Sequence, residues 1–320
     1  MLKFGAITID VSHPSAFAAK LAEGERGRYT AVYNDSFRSE EEVKEFSEKF
    51  GVKICSSLEE LAESVDIGMI HGCNWDRHLS YIEPFIKLGK PVFIDKPLVG
   101  NLAECRKLLE YSKNGAKIIG SSCLRYAEEV AEVKAALKEK NAHVLHVDAT
   151  VGTDDFNYAI HAIEEICTLI EAKPESARHI GTSVCETETC DNYFIKFNNG
   201  ATACLQNYGK RHVFFNTVVL TSGDTPNDDF CFRLNPGKAY GRMLETVCDY
   251  LEGKPNESPS VETLLDPIMV ALACKASKMN GGAEISVYDE ILENISFDGY
   301  EFERGYSAAA IAARKAALQK

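Results

Sequence analysis

From Phe4 to Gly120, short apolar runs rich in β-branched and aromatic residues alternate with longer stretches of helical spacing. That alternation constrains the fold most. Strands separated by helices cannot pair as hairpins and must run parallel, joined by right-handed crossovers. The pattern predicts strands over Phe4–Ile9, Thr30–Tyr33, Val52–Cys55, Asp66–Ile70, Val92–Ile94 and Lys117–Gly120. Helices are predicted over Ser15–Glu23, Glu40–Phe50, Ser57–Ser64, Leu79–Leu88 and Leu102–Asn114, with Gly51 as a C-terminal cap.

After Ser121 the texture changes. A helix over Glu128–Lys138, a strand over Val144–Val151 and helical spacing over Phe156–Ile170 come first. Strand-like runs at Tyr193–Phe197, Ala201–Gln206 and Phe214–Leu220 follow, the first two joined by Asn198-Asn199-Gly200. A helix over Val261–Met279 and an Ala-rich terminal helix over Ser307–Gln319 complete the chain. The expectation is an α/β chain of two domains. Residues 1–121 form a Rossmann-type doubly wound parallel sheet. Residues 122–320 form an α+β domain with a mostly antiparallel, open-faced sheet.

At 320 residues and 45% hydrophobic content there is ample material for two cores. The net charge of −13, without a Lys/Arg-rich run, argues against nucleic acid and anionic membrane surfaces as partners. No apolar run approaches the roughly 18 residues a membrane span needs. The apolar start is too short for a secretion signal and reads as the first strand, so a cytoplasmic protein is expected. The 11 cysteines are scattered with no Cys-x-x-Cys pair, which suits reduced thiols and predicts no metal site.

The loops at the carboxyl ends of the predicted strands carry the chemistry. In Lys90-Pro91-Val92-Phe93-Ile94-Asp95-Lys96-Pro97-Leu98, a proline that cannot continue a central strand follows Asp95 and Lys96. Both residues therefore stand at the sheet edge where α/β folds bind ligands. After strand one, the positions of the dinucleotide fingerprint glycines hold Thr8, Asp10 and His13. In place of glycines stands Ile9-Asp10-Val11-Ser12-His13-Pro14, opening a helix. Ser12 either donates to a phosphate beside that helix N-terminus or simply caps the helix, and Asp10 opposes a diphosphate. After strand two, Asn34, Asp35 and Arg38 either contact a ribose or form a polar loop; the acid suits NAD and the arginine NADP. After strand four, Gly72, Cys73, Asn74 and His78 surround the single Trp75. They line a site or begin a helix.

The run from Asn74 to Leu98 resembles the Glu-Lys-Pro region of the Gfo/Idh/MocA family of oxidoreductases, which includes glucose–fructose oxidoreductase and inositol dehydrogenase. The likeness continues through Ser121–Tyr126 and through Asn157-Tyr158-Ala159-Ile160-His161-Ala162-Ile163-Glu164, which is similar to the family's Asp-x-Gly-x-His segment. Here Asp95 replaces a Glu, Asn157 replaces an Asp, and the glycine fingerprint is missing.

The resemblance implies a hydride transfer between NAD or NADP and a CHOH or C=O group of a sugar, inositol or related polyol. Lys96 would hydrogen-bond the reacting oxygen, with burial lowering its pKa, and His161 would take the hydroxyl proton. Asn157, His161 and Glu164, spaced i, i+4, i+7, would share a helix face, with Asn157 or Glu164 orienting the imidazole or binding substrate. Arg125 and Tyr158 would hold sugar oxygens. Thr8, Ile9, Asp10, Ser12, His13 and Asp95 join the loop residues above as the expected cofactor contacts. The family also implies a homodimer or homotetramer. Two rivals stay open: a non-catalytic nucleotide- or sugar-binding regulator, and a reductase of a non-sugar carbonyl or imine.

Overall fold

A computed structural model describes residues 1–223, 225 and 228–318. The first sheet is built from β1 (Leu2–Ile7), β2 (Gly27–Tyr33), β3 (Lys53–Ile54), β4 (Ile67–Ile70), β5 (Val92–Asp95) and β6 (Ile118–Ser121). Among the described residues its order is β3-β2-β1-β4-β5-β6 and every pairing is parallel. The chain order reverses direction between β1 and β4, which places a ligand crevice over the carboxyl ends of those two strands.

The connecting helices are α1 (His13–Ala22), α2 (Glu40–Phe50), α3 (Leu58–Ser64), α4 (His78–Lys87) and α5 (Leu102–Lys113). Their ends follow local chemistry. Ser39 and Glu42 form a reciprocal capping box at the start of α2, and Gly51 ends that helix in the left-handed region at φ 65°. Ser57 and Asn101 cap α3 and α5 through their side chains. β5 runs one residue further than expected, so Asp95 is its last paired residue, opposite Ser121.

The second sheet joins β7 (Val144–Val151), β8 (Pro174–Cys185), β9 (Glu188–Phe197), β10 (Thr202–Asn207), β11 (Phe215–Thr221), β12 (Phe230–Leu234) and β13 (Ile285–Ser286). Its order among the described residues is β12-β11-β7-β10-β9-β8-β13, antiparallel except where β10 meets β7. α7 (Ala159–Ile170) and α9 (Val261–Met279) cover one face, against the buried Val147, Ala149 and Val151 of β7. α6 (Glu128–Lys140) packs on α7, and α8 (Pro236–Leu251) packs on α1 of the first sheet's layer. Among the described residues, no helix is long and apolar enough to cross a membrane.

Several elements depart from the pattern. β8, β12, α8 and β13 are elements that the sequence pattern did not predict. α7 begins at Ala159 rather than Phe156, because the Asp154 carboxylate accepts the N–H groups of Phe156 and Tyr158 at 2.8 and 2.9 Å and holds 154–158 as a turn. Asn157 therefore lies before the helix and not on a face shared with His161. The terminal helix α10 (Gly299–Leu318) starts eight residues earlier than expected, and Gln319 lies outside the described residues.

Candidate active site

The turn after β1 sets the floor of the crevice. Thr8, at the first fingerprint position, takes φ 60°, the left-handed region a glycine enters freely. For a β-branched residue this costs on the order of 1–3 kcal/mol, so the surrounding structure holds the turn in its glycine-like shape. Asp10 is buried, and its carboxylate turns inward to accept the Cys73 N–H at 3.0 Å. Burial raises its pKa, and its second oxygen has no partner. Arg38 donates from Nε to the Asp10 carbonyl at 3.2 Å and from Nη1 to Glu42 at 2.9 Å. Ser12 does not cap α1 with its side chain, so the N–H groups of His13 and Ser15, on either side of Pro14, are left to meet an anion.

Asp95 is the hub of a buried network. One oxygen lies 2.6 Å from His13 Nδ1 and 3.1 Å from His71 Nδ1, and the other accepts the Lys96 N–H at 2.9 Å. Burial alone would raise its pKa, but the flanking imidazoles hold it well below the usual carboxylate range. His71 passes the chain on to the Tyr29 hydroxyl at 2.7 Å, and His13 stacks on Phe17 at 5.3 Å. His78 is buried between the carbonyls of Gly72 and Leu98, each at 2.9 Å, so it ties two edge loops together. Asn34 receives the Ile9 N–H at 3.2 Å. Asp35 is already paired, with Arg77 at 2.6 Å and the Tyr81 hydroxyl at 2.7 Å.

Lys96 leaves the strand end toward the second sheet's layer. Its Nζ donates to the backbone oxygen and to Oδ1 of Asn157, both at 3.0 Å, and sits 5.2 Å from the Tyr158 ring centroid. Only 9% of the residue is exposed, and that burial lowers its pKa. An ammonium has three donors, so one remains after Asn157 is served. His161 also lies beside Tyr158, with ring centroids 5.9 Å apart. Burial, with Lys96 nearby, holds its pKa well below the usual value, so the imidazole is neutral at neutral pH.

The imidazole is oriented by Ser122, whose Oγ lies 2.6 Å from Nδ1. That leaves Nε2 as the ring atom free to exchange a proton. Glu164 has its hydrogen bonds elsewhere than the imidazole. It accepts from the Ser121 hydroxyl, from the Ser122 N–H at 3.2 Å and from Arg125 Nε at 3.3 Å. Glu164 and Arg125 thus brace the Ser121–Ser122 turn. Sequence reasoning missed Ser122, His71, Tyr29 and Asp154 as members of this site. His71 directly follows a predicted strand and Ser122 comes two residues after one, and that position was the available signal.

Residues 13–122 match the family model described as "Oxidoreductase family, NAD-binding Rossmann fold", which bears out the family resemblance read from the motifs. Inositol 2-dehydrogenase of Gluconacetobacter diazotrophicus is 28% identical over 108 residues, 31% of this chain. The match spans 32% of that protein, about a third of its length. Myo-inositol dehydrogenase of Lactobacillus casei, solved in complex with NAD(H) and myo-inositol, superposes with TM-score 0.75 at 13% identity, covering 89% of this chain and 96% of that one. Scyllo-inositol dehydrogenase of the same organism superposes with TM-score 0.73 at 12% identity, over 90% and 99% of the two chains. Residues 13–122 thus resemble an NAD-binding oxidoreductase family, and the chain as a whole shares the fold of these two solved structures.

Proposed function

We propose that this chain is an NAD(P)-dependent dehydrogenase of a polyol, an inositol or another cyclic sugar alcohol. Residues 1–121 would hold the cofactor, and residues 122–320 the substrate. The observation that carries the reading is the meeting of Lys96 and His161 beside Tyr158. Both are buried at the crevice edge and both have lowered pKa values. The dinucleotide supplies the hydride acceptor or donor. The left-handed turn at Thr8 and the open first turn of α1 fit its phosphates, with Asp10 turned inward and burial favouring its neutral form. Lys96 fits the nicotinamide end.

The chain's own residues then do the proton work. The remaining Lys96 N–H binds the substrate oxygen and stabilises the negative charge that develops there as the hydroxyl proton leaves, charge that then forms the C=O bond as hydride leaves carbon. Neutral His161 accepts the hydroxyl proton at Nε2, while Ser122 fixes the ring through Nδ1. Asn157 and Tyr158 hold the ammonium in place. The family's inositol dehydrogenases favour a polyol over a non-sugar carbonyl. A dimer or tetramer formed through the open face of the second sheet is part of the proposal.

Turnover of an inositol and hexose panel with NAD and with NADP, followed by nicotinamide absorbance, tests this. Lys96→Ala is expected to lower turnover by about 10²–10⁴-fold with cofactor affinity retained. Normal turnover by that variant would remove Lys96 from the mechanism. No turnover of any polyol by wild type would move the weight to a sugar-binding regulator.

A further inference from the structure

The C-terminal helix lies across the crevice. α10 is 20 residues long, roughly 30 Å, and its contacts track the loops at the carboxyl ends of the strands. It begins over the loop after β4. There the Gly299 N–H donates to Asp76 at 2.9 Å, Glu303 accepts from Asn74 at 2.9 Å and Phe302 packs on Trp75 at 5.2 Å. A Cβ at Gly299 would come within 2.5 Å of the Asn74 side chain, so the helix start is seated tightly. Midway, Tyr306 packs on Phe37 after β2, at 6.3 Å. The helix ends over α2, where Arg314 pairs with Glu45 at 2.8 Å and approaches Glu41 and Glu42 at 3.5 and 3.9 Å. The gap between the loops after β2 and β4 is where this fold receives the adenosine half of a dinucleotide.

Two further features fit a cover better than a fixed wall. The contact face of α10, residues 302, 303, 306, 307, 310 and 314, is half-buried, and none of the helix residues from 299 to 317 other than Gly299 is close-packed in the core. An element with so little buried apolar surface opens at low cost. Docking also carries the Glu303 carboxylate beside that of Asp10, where ligand atoms of Asp10, Cys73 and Glu303 come within 4.8 Å of one another. Docking thus places a second carboxyl group, that of Glu303, on the diphosphate side of the Asp10 turn, and release of the helix takes it away.

We propose that α10 is a self-cover of the adenosine side of the crevice, and that a dinucleotide binds by displacing it. The inference rests on the dehydrogenase reading above. If only the uncovered fraction binds, apparent affinity falls in proportion to that fraction, and loosening the helix restores it.

The test uses the full chain. Arg314→Glu sets a new carboxylate against Glu41, Glu42 and Glu45, and Glu45→Arg added to it restores one pair. NADH and NADPH binding is read from nicotinamide fluorescence, and helix release from Trp75 emission, since Trp75 is the single tryptophan and touches Phe302. Arg314→Glu is expected to bind dinucleotide at least about threefold tighter than wild type. Its Trp75 emission should already be shifted before ligand is added, and the double variant should return toward wild type in both. Dinucleotide binding to wild type should itself shift Trp75. Equal affinities in all three chains, with Trp75 shifted in Arg314→Glu, would overturn the cover while leaving the dehydrogenase reading intact. Released helix with no binding of either dinucleotide would sink the dehydrogenase reading, and the cover with it.

Discussion

Glu165 stands one helical turn beyond His161 on α7, fully buried, with one oxygen accepting from the Thr217 hydroxyl at 2.6 Å and the other without a partner. Burial pushes its pKa from 4.5 up to about 8. Between those values the folded chain binds a proton that the unfolded chain has released, so stability falls as pH rises through that window. The slope approaches about 1.4 kcal/mol per pH unit. Glu165→Gln keeps the Thr217 bond and cannot ionise. Denaturant melts from pH 5 to 8.5 should show the variant near wild type at pH 5 and clearly more stable at 8.5. Equal slopes in the two proteins would mean that Glu165 is not held protonated. Residues of this kind resist reading from sequence, because burial and partner are tertiary facts. Lys96 and His161 were legible through their motifs. Ser122, the group that orients His161, was not, since its partner lies 39 residues away in the chain.

At the scale of elements, local chemistry decided most boundaries. The capping box of α2 holds Ser39 and Glu42 reciprocally, and Val43 and Phe46 bury the helix's apolar face. Ser39→Ala should therefore cost about 1 kcal/mol, read as a lower urea midpoint at unchanged slope. A wild-type midpoint would mean that the fold holds this helix without its cap. Where such signals are weak, reading by pattern failed. β8 is largely polar and exposed past Ala177, with Arg178, His179, Gly181, Thr182 and Ser183 around a lone exposed Ile180, so it lacks the apolar alternation that marks a strand. Its pairing with β9 supplies the order that its side chains do not. The first half of α10 was missed for a related reason. Gly299, Gly305 and the aromatics Tyr300, Phe302 and Tyr306 blur the helical pattern, and docking against Trp75 and Phe37 fixes it. The parallel sheet, by contrast, was legible throughout, because crossover length and β-branched runs are local properties.

The two sheets belong to one continuous core. α1 packs on α8, α5 packs on α9, and α9 reaches β6, so buried side chains run without a break from Phe17 and Leu108 to Leu265 and Ile268. Ion pairs reinforce the seam on its surface, where Arg26 meets Asp249 and Glu252 at 2.6 and 2.8 Å. The most buried link is polar: Lys96 donates to Asn157 across the crevice, and an ammonium removed from water depends on those bonds. A chain whose layers share an apolar seam of this extent has no partly folded state that leaves either half its own core, so it should melt in one step. Trp75 fluorescence reports the first layer, and far-UV circular dichroism reports both. In urea the main transitions of the two signals should give the same midpoint and the same slope. A main Trp75 transition that precedes the loss of dichroism in Arg314→Glu, whose α10 is already loosened, would show that the first sheet unfolds on its own, and the shared seam would then contribute little. Because α10 is docked by one half-buried face, its release should precede this transition as a small Trp75 shift, with almost no change in dichroism. Arg314→Glu should erase that early step, since the helix is already loosened, while leaving the main midpoint within about 0.5 kcal/mol of wild type.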